Sequence, residues 1–347
     1  MDSEFNIAKL VRRNIRELKP YSSARDEFSG SASIFLDANE SPFNHPLNRY
    51  PDPRQRELKT VIAGMRKQAV EHLFLGNGSD EGIDLLFRVF CEPAVDNVIS
   101  IDPTYGMYGV CAAINQIEQR PVLLREDFSL DPQSILDAAD KNTKLIFLCS
   151  PNNPTSNALE REAILEIIEN APCLVVVDEA YIDFSPEPGF LDLVPQKEKL
   201  VILQTLSKAY GLAGIRLGML FGHPSLIHFL SAVKYPYNIN SLTIETALKA
   251  LKDKEMKQEW IRMILKERAR LSKLMEGYSL IEKVFPSDAN FLLVRVKHPK
   301  NLYQYLMDKG IIVRDRSSVA LCEGCLRITV GLPEENDQLL EALSCYK

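Results

Sequence analysis

Three apolar runs in the middle of the chain lack the polar alternation of a half-exposed strand. Residues 145–149, 174–177 and 200–203 consist entirely of Leu, Ile, Val, Phe and Cys. Runs of this kind are typical of strands that a parallel sheet buries on both faces. Amphipathic stretches alternate with these runs, which indicates repeated β–α units. We therefore predict an α/β fold with a mostly parallel central sheet.

The pattern changes near Asn240. A long, highly charged stretch follows, with apolar residues at helical spacing, and two short strand-like runs come after it at 290–296 and 326–330. This change predicts a domain boundary. We expect residues 41–240 to form a large domain and residues 241–347 a smaller α+β domain.

Polar side chains follow each of the three buried runs. Asn153 follows the first run, Asp178 the second and Lys208 the third. The carboxyl ends of parallel strands meet at one edge of the sheet, where ligands of open α/β folds bind. A lysine amine there can form a Schiff base with an aldehyde, and a carboxylate can keep a pyridine nitrogen protonated. Taken singly, each residue also fits a plainer role, as a surface lysine, a helix N-cap or a turn residue.

A glycine-rich turn precedes another stretch with helical apolar spacing. Free backbone N–H groups at Gly78, Ser79 and Asp80 would attract a phosphate, with the acidic side chains directed away from it. Ser207 and Arg216, which flank the lysine, would add a hydroxyl and a guanidinium. An aldehyde and a phosphate occur together in pyridoxal phosphate. The alternative for Ser79 is a simple helix N-cap.

Together and in this order, these segments resemble the fold-type I pyridoxal-phosphate aminotransferases, and more narrowly the histidinol-phosphate aminotransferase family. The motifs are Leu-Asp-Ala-Asn-Glu-Ser-Pro (36–42), Asn-Arg-Tyr-Pro (48–51), Gly-Ser-Asp-Glu-Gly-Ile (78–83), Pro-Thr-Tyr-Gly-Met-Tyr (103–108), Ser-Pro-Asn-Asn-Pro-Thr (150–155), Val-Asp-Glu-Ala-Tyr (177–181), Ser-Lys-Ala-Tyr-Gly-Leu-Ala-Gly-Ile-Arg-Leu-Gly (207–218) and Cys-Leu-Arg-Ile-Thr-Val-Gly (325–331). The likeness covers nearly the whole chain, and this many motifs in one order are specific.

The resemblance implies a fold-type I transferase fold, in which residues 1–40 form an amino-terminal arm and part of the small domain. It implies pyridoxal 5'-phosphate as cofactor and three catalytic residues: Lys208, Asp178 and Tyr181. The residues expected to bind the cofactor are Gly78, Ser79, Asp80, Tyr105, Asn153, Asp178, Tyr181, Ser207, Lys208, Arg216 and Tyr50. Those expected to bind the substrate are Tyr21, Asn39, Arg314 and Arg327.

The resemblance also implies a reaction. In this family one arginine, matched here by Arg327, binds the phosphate of histidinol phosphate and then a carboxylate of glutamate or 2-oxoglutarate. The tyrosine matched by Tyr50 reaches the cofactor phosphate of the neighbouring subunit, which implies a homodimer. The predicted function is transamination of L-histidinol phosphate in histidine biosynthesis.

Three alternatives use the same residues differently. An aminotransferase for aromatic amino acids would place a carboxylate at the anion site. A decarboxylase of phosphorylated amino acids would release carbon dioxide and need no 2-oxoglutarate. A cofactor-binding regulatory module would have no turnover, but intact Lys208, Asp178, Tyr181 and Arg327 argue against it.

Composition narrows the partners and the compartment. The net charge of −6 argues against nucleic-acid or acidic-membrane binding, which needs a basic face. The absence of a hydrophobic leader or spanning segment predicts a cytoplasmic protein, and seven scattered cysteines fit reduced thiols. Cys322 and Cys325 have no second pair to complete a zinc site, so we predict no metal.

One position departs from the family pattern. Glycine usually follows Asn-Pro-Thr, and this chain has Ser156. If that position needs a positive φ, the loop that carries Asn153 would be strained, or Asn157 would take the turn instead.

Overall fold

The computed structural model describes residues 5–22, 24–28 and 33–346. The helices are α1 (Ile7–Leu10), α2 (Arg13–Arg16), α3 (Ala24–Glu27), α4 (Arg56–Arg66), α5 (Gly78–Phe90), α6 (Met107–Ile114), α7 (Pro132–Ala138), α8 (Arg161–Asn170), α9 (Pro224–Val233), α10 (Ser241–Ala250), α11 (Lys254–Met275), α12 (Pro299–Asp308) and α13 (Pro333–Cys345). The strands are β1 (Leu73–Asn77), β2 (Asn97–Asp102), β3 (Glu118–Leu123), β4 (Thr143–Cys149), β5 (Leu174–Asp178), β6 (Leu200–Thr205), β7 (Leu217–Phe221), β8 (Ile281–Val284), β9 (Phe291–Val296), β10 (Arg314–Asp315) and β11 (Cys325–Thr329).

The large sheet has the strand order β1-β7-β6-β5-β4-β2-β3. All neighbouring strands are parallel except β7, which runs antiparallel to both β1 and β6. Helices cover both faces, with α4 and α8 on one side and α5, α6 and α9 on the other. The predicted α/β fold with a mostly parallel sheet is confirmed, because the unbroken apolar runs are the strands β4, β5 and β6 at its centre.

The central strands end side by side. Cys149 at the end of β4 is in register with Asp178 at the end of β5, and Asp178 is in register with Leu203 of β6. The chain segments that follow these strands therefore emerge at one edge of the sheet. This edge carries the polar residues that the sequence placed after each run.

A second, antiparallel sheet has the order β10-β11-β9-β8. Alternate residues of β9 face opposite ways: Leu292 and Val294 pack with α11, α12 and α13, whereas Phe291 and Leu293 join the core of the large sheet. The small sheet thus has one face on its own helices and one face towards the large domain.

The packing differs in two places from the expected domain division. Ala247 and Ile261 lie in the core of the large sheet, and only from Leu271 onward does α11 join the small core. In the arm, Ile7 packs with α5 and α9, and the Arg12 N–H donates to the Val89 carbonyl of α5. The start of the described arm, with Ile7 and Arg12, therefore lies on the large domain. Residues 1–4, 23, 29–32 and 347 of the expected domains lie outside the described residues.

The long helices all carry charged or polar faces. Across the described ranges, no helix combines the length and the apolar character that a bilayer span requires.

Candidate active site

A cavity of about 420 Å³ lies between the carboxyl edge of the large sheet and the strands β10 and β11. Its lining residues are Gly78, Ser79, Asp80, Tyr105, Cys149, Asn153, Asp178, Ala180, Tyr181, Thr205, Ser207, Lys208, Arg216, Arg314, Arg316 and Arg327. Most of the residues that the sequence assigned to cofactor or substrate are in this set. Three are not: Tyr21, Asn39 and Tyr50.

Lys208 follows β6 and lines the cavity. Its ammonium nitrogen lies 5.4 Å from the centroid of the Tyr181 ring. Burial, and then the charge of Arg327, lowers the pKa of Lys208 below its usual range. A lowered pKa makes the neutral amine more available, and the neutral amine is the form that attacks an aldehyde or removes a proton.

Asp178 is buried at the end of β5. Its Oδ2 accepts a hydrogen bond of 2.8 Å from the Tyr108 hydroxyl, and its Oδ1 accepts one of 3.1 Å from the Ala180 N–H. Burial raises the pKa of the Asp178 carboxyl to about 6. Tyr108 belongs to the motif at 103–108, but the sequence predicted no role for it. The hydrogen bond shows that Tyr108 orients the carboxylate, with its ring stacked on Phe147 at 4.7 Å.

A chain of hydrogen bonds links the large domain to the small one. The Asn153 amide donates to the Tyr181 hydroxyl at 3.4 Å, and the Arg327 guanidinium donates to Asn153 Oδ1. Burial raises the pKa of Tyr181 well above its usual range, so the phenol keeps its proton. Asn153, Tyr181 and Arg327 therefore form one connected wall of the cavity, as their common assignment to the site requires.

The amino terminus of α5 forms the opposite end. Gly78 has φ +72°, a conformation that favours glycine, and its N–H already donates to the Arg216 carbonyl at 2.8 Å. The expected anion donors at this helix start are therefore Ser79 and Asp80 without Gly78. A Cβ atom at Gly218 would lie 2.2 Å from the Gly78 carbonyl carbon, so the close approach of β7 to this turn requires glycine.

The Asp80 side chain lines the cavity and is held by two donors. Its carboxylate accepts from the Tyr105 hydroxyl at 3.1 Å and contacts the Arg216 guanidinium at 3.4 Å. The reason is electrostatic, because the cation of Arg216 and the phenol of Tyr105 both offer donors to the same carboxylate. Arg216 has further N–H donors with which it can bind an anion at the same time.

Ser156 adopts a left-handed backbone conformation with φ +71° and is fully buried. Position 156 thus has the positive φ on which the strain in this loop depends, and Asn157 does not take the turn. Ser156 joins the two domains, because its hydroxyl donates to the Pro286 carbonyl at 3.1 Å and its own carbonyl accepts from the Asp288 N–H at 2.8 Å. Asn153 keeps its place in the cavity wall.

The three predicted residues outside the cavity lie in or next to the segment 33–55. Tyr50 stacks on Tyr237 at 4.4 Å and is half exposed, and Asn39 lines the same surface groove. Tyr21 is 72% exposed and lines a separate cavity. Within one chain these three residues do not meet the site.

Residues 33–55, the Tyr50 segment, are held together by a buried carboxylate. Glu40 accepts from Arg25 and Arg49, each at 2.6 Å, and from the Tyr50 N–H. Burial alone would raise the pKa of Glu40, but the two guanidiniums hold it down at about 2. The segment is thus ordered by its own ion pairs although Tyr50 projects from the surface.

Comparison with known proteins identifies the family. The family model for aminotransferase class I and II matches residues 33–343. A histidinol-phosphate aminotransferase of Parabacteroides distasonis is 53% identical over 342 residues, which cover 99% of each chain. The chain belongs to the class I and II aminotransferases. Its likeness to proteins named histidinol-phosphate aminotransferase places it in that family within the class.

Solved structures agree with this aminotransferase fold. The histidinol-phosphate aminotransferase of Clostridium acetobutylicum has a TM-score of 0.79 at 26% identity and covers 86% of this chain and 90% of its own. The enzyme of Sinorhizobium meliloti, solved in complex with pyridoxal-5'-phosphate, has a TM-score of 0.79 at 25% identity and covers 88% of each chain.

The residues of this aminotransferase fit pyridoxal 5'-phosphate, the cofactor of its class. Lys208 offers an amine with a lowered pKa, and Asp178 offers a buried carboxylate that a protonated ring nitrogen would pair with. Ser207 and Arg216 line the end of the cavity where α5 begins. The cavity therefore brings together groups that could serve the aldehyde, the ring nitrogen and the phosphate of this cofactor.

Proposed function

We propose that this aminotransferase transfers the amino group of L-histidinol phosphate to 2-oxoglutarate, giving imidazole acetol phosphate and L-glutamate, in histidine biosynthesis. The proposal rests on one observation: a single cavity contains both the residues suited to the cofactor and a cluster of arginines suited to an anionic substrate. Lys208 and Asp178 lie at one end, and three arginines without a carboxylate partner in the described residues line the other. The names of the relatives support the choice of substrate.

The chain's own residues divide the work. The cofactor, when bound, supplies the electron sink for the amino-bearing carbon. With the cofactor bound, Lys208 Nζ would take up the proton released from that carbon and later give it back, because its lowered pKa makes the neutral amine more available. Asp178 would keep the ring nitrogen of the bound cofactor protonated, and Tyr108 fixes the carboxylate that does so. Tyr181 and Asn153, which are hydrogen-bonded to each other, would hold the phenolic oxygen of the ring.

Arg327 serves both half-reactions. Its guanidinium is half-buried and oriented by Asn153, and a planar fork of donors binds a phosphate or a carboxylate equally well in geometry. Arg314 is its direct cross-strand neighbour. The substrate amine then reaches Lys208 while its anionic end lies on β10 and β11.

The functional unit in this proposal is a homodimer, and the compartment is the cytoplasm. Large apolar side chains of the Tyr50 segment are exposed, among them Leu36 at 92%, Phe43 at 77% and Leu47 at 57%. A surface of this kind suits a partner subunit. We propose that Tyr50 completes the partner's cofactor site, since it lies outside the cavity of its own chain. All seven cysteines are free, which suits a reducing compartment.

A half-reaction experiment tests the substrate. The cofactor-loaded protein is mixed with L-histidinol phosphate, L-phenylalanine or L-threonine O-phosphate, and the conversion of the cofactor to its aminated form is followed by absorbance. We expect fast conversion by histidinol phosphate and recovery by 2-oxoglutarate. Preference for phenylalanine would replace the proposal with aromatic transamination, and carbon dioxide release from the phosphorylated amino acid would replace it with decarboxylation.

A mixing experiment tests the dimer. Lys208→Ala and Tyr50→Ala protomers, each of low activity alone, are unfolded, mixed and refolded. If Tyr50 acts in the partner's site, a hybrid dimer has one intact site, and random pairing restores about a quarter of wild-type activity. If Tyr50 acts in its own subunit, no hybrid site is intact and activity stays low.

A further inference from the structure

The register of β10 and β11 places a third arginine beside the two that the sequence singled out. Arg314 pairs with Arg327, Asp315 pairs with Leu326, and the Arg316 N–H donates to the Cys325 carbonyl at 2.9 Å, which continues the ladder. Side chains alternate along a strand, so Arg316 lies on the same face as Arg314. In an antiparallel pair it is the diagonal neighbour of Arg327, at roughly 7–8 Å between Cα atoms.

This face is the one towards the cavity. Leu326 points the other way and packs in the core of the small domain, whereas Cys325 packs in the core of the large one. All three arginines line the cavity. The site thus holds three guanidiniums on one small strand pair.

The nearby acid does not neutralise them. Asp315 lies between Arg314 and Arg316 in the chain but on the opposite face, where its carboxylate accepts from the Ser317 N–H at 2.8 Å. Within the described residues, none of the three guanidiniums forms an ion pair with a carboxylate. Burial, and then the charges of Arg327 and Arg314, lowers the pKa of Arg316.

Arg316 differs from Arg327 in its hydrogen bonds. Arg327 already donates to Asn153, whereas the Nε of Arg316 is buried and has no hydrogen-bond partner among the described residues. A buried donor without a partner is costly, so a ligand oxygen at this position would relieve the cost. Among the described residues, the half-buried Arg316 has no hydrogen bond or ion pair of its guanidinium, so it is available to bind an anion.

The two substrates of the proposed reaction place different demands on such a site. Each of the two carboxylates of 2-oxoglutarate has one negative charge and two oxygens, which a single guanidinium fork can satisfy. A phosphate monoester has close to two charges at neutral pH and three terminal oxygens. One arginine matches the first anion, and the second needs further cationic donors.

We propose that Arg316 is a specificity-determining residue that binds the phosphate of the phosphorylated substrate and contributes little to binding of the dicarboxylate. The inference rests on the proposed function, because it divides the roles of the arginines between the two half-reactions. Arg327 serves both anions, and Arg316 adds the charge and the donor that only the phosphate uses.

The test compares two non-reacting probes on the cofactor-loaded enzyme, inorganic phosphate and glutarate, by calorimetric titration. The proteins are wild type, Arg316→Gln, Arg316→Lys and the control Arg125→Gln, which removes an exposed arginine that pairs with Asp131. We expect Arg316→Gln to weaken phosphate binding about 10- to 100-fold and glutarate binding less than about threefold. Arg316→Lys should recover part of the loss, because it keeps the charge, and the control should match wild type.

Kinetics give a second readout. KM for histidinol phosphate should rise by the same factor in Arg316→Gln, with KM for 2-oxoglutarate nearly unchanged. Equal losses for both probes, or no loss for phosphate, would overturn the inference. A wild-type enzyme that does not use histidinol phosphate would defeat the proposed function instead, and the comparison of phosphate with glutarate would still decide the role of Arg316.

Discussion

The two ends of the cavity differ in how many of their polar groups already have protein hydrogen-bond or ion-pair partners before any ligand binds. At the large-domain end, Asp178 has donors from Tyr108 and Ala180, and Arg216 has the carboxylate of Asp80. At the small-domain end, the buried Nε of Arg316 has no hydrogen-bond partner in the part of the chain that the structure describes. The first end is balanced in charge, and the second carries an excess of positive charge.

The difference reflects what each end has to do. The cofactor stays bound through both half-reactions, so its site gains from hydrogen bonds that fix each group in advance. The anion end must accept a phosphate and later a carboxylate. If protein acids paired with its guanidiniums, the site would bind these anions more weakly. Leaving the guanidiniums unpaired with acids costs like-charge repulsion in the free enzyme, which a bound anion removes.

The largest expected effect is at the cofactor end. Lys208→Ala removes both the amine that binds the aldehyde and the base, so turnover should fall by about 10⁴-fold or more. Steady-state assay with histidinol phosphate measures the loss, and Lys252→Ala, at an exposed lysine, is the control. Near-normal turnover in Lys208→Ala would remove Lys208 from the mechanism.

At the anion end, Arg327→Gln should raise KM for histidinol phosphate and for 2-oxoglutarate alike, each about 100-fold, because one charged fork serves both anions. This result would stand in contrast to the selective loss expected for Arg316→Gln. A selective effect of Arg327→Gln on only one substrate would show that the two anions use different arginines.

Asp178 offers a stability test of the cofactor end. Burial raises its pKa to about 6, so the folded, cofactor-free protein holds this proton more tightly than the unfolded chain does. The group therefore destabilises the fold increasingly as pH rises from about 4 to about 6 and by a constant amount above that. The free energy of unfolding of cofactor-free Asp178→Asn should exceed that of the wild type by about 1–2 kcal/mol at pH 8. The difference should be much smaller at pH 4.

Urea denaturation at the two pH values measures this difference. Glu126→Gln, at an exposed position, provides the control for loss of an acid. If Asp178→Asn stabilised the protein equally at both pH values, the charge of Asp178 would not be the cause of the gain in stability.

The smallest effect concerns Ser156, which links the large domain to Pro286 and Asp288. Ser156→Ala loses the hydroxyl that donates to Pro286 and keeps a Cβ at φ +71°, so it should be destabilised by about 1 kcal/mol. Ser156→Gly loses the same hydrogen bond but relieves the left-handed strain and should be about 1 kcal/mol more stable than Ser156→Ala. Equal stability of the two variants in urea would show that this backbone position is not strained.

Much of the cofactor end could be predicted from the sequence. Asn153, Asp178 and Lys208 each follow a buried apolar run, and parallel strands bring their carboxyl ends together whatever the details of packing. Tyr108 could not be assigned in this way. Its role depends on the direction in which α6 presents a buried phenol to Asp178, which is a matter of helix packing.

The positions of Arg316 and Tyr50 could not be predicted from the sequence. Arg316 faces the cavity because of its register against β11, and Tyr50 lies outside because its segment is held by Glu40 on the surface of the molecule. The sequence by itself determined the class of fold, the cofactor chemistry and the residues at the strand ends, since these follow from local patterns. Only the tertiary structure decided the excess charge of the anion end, because charge balance depends on which side chains meet in space.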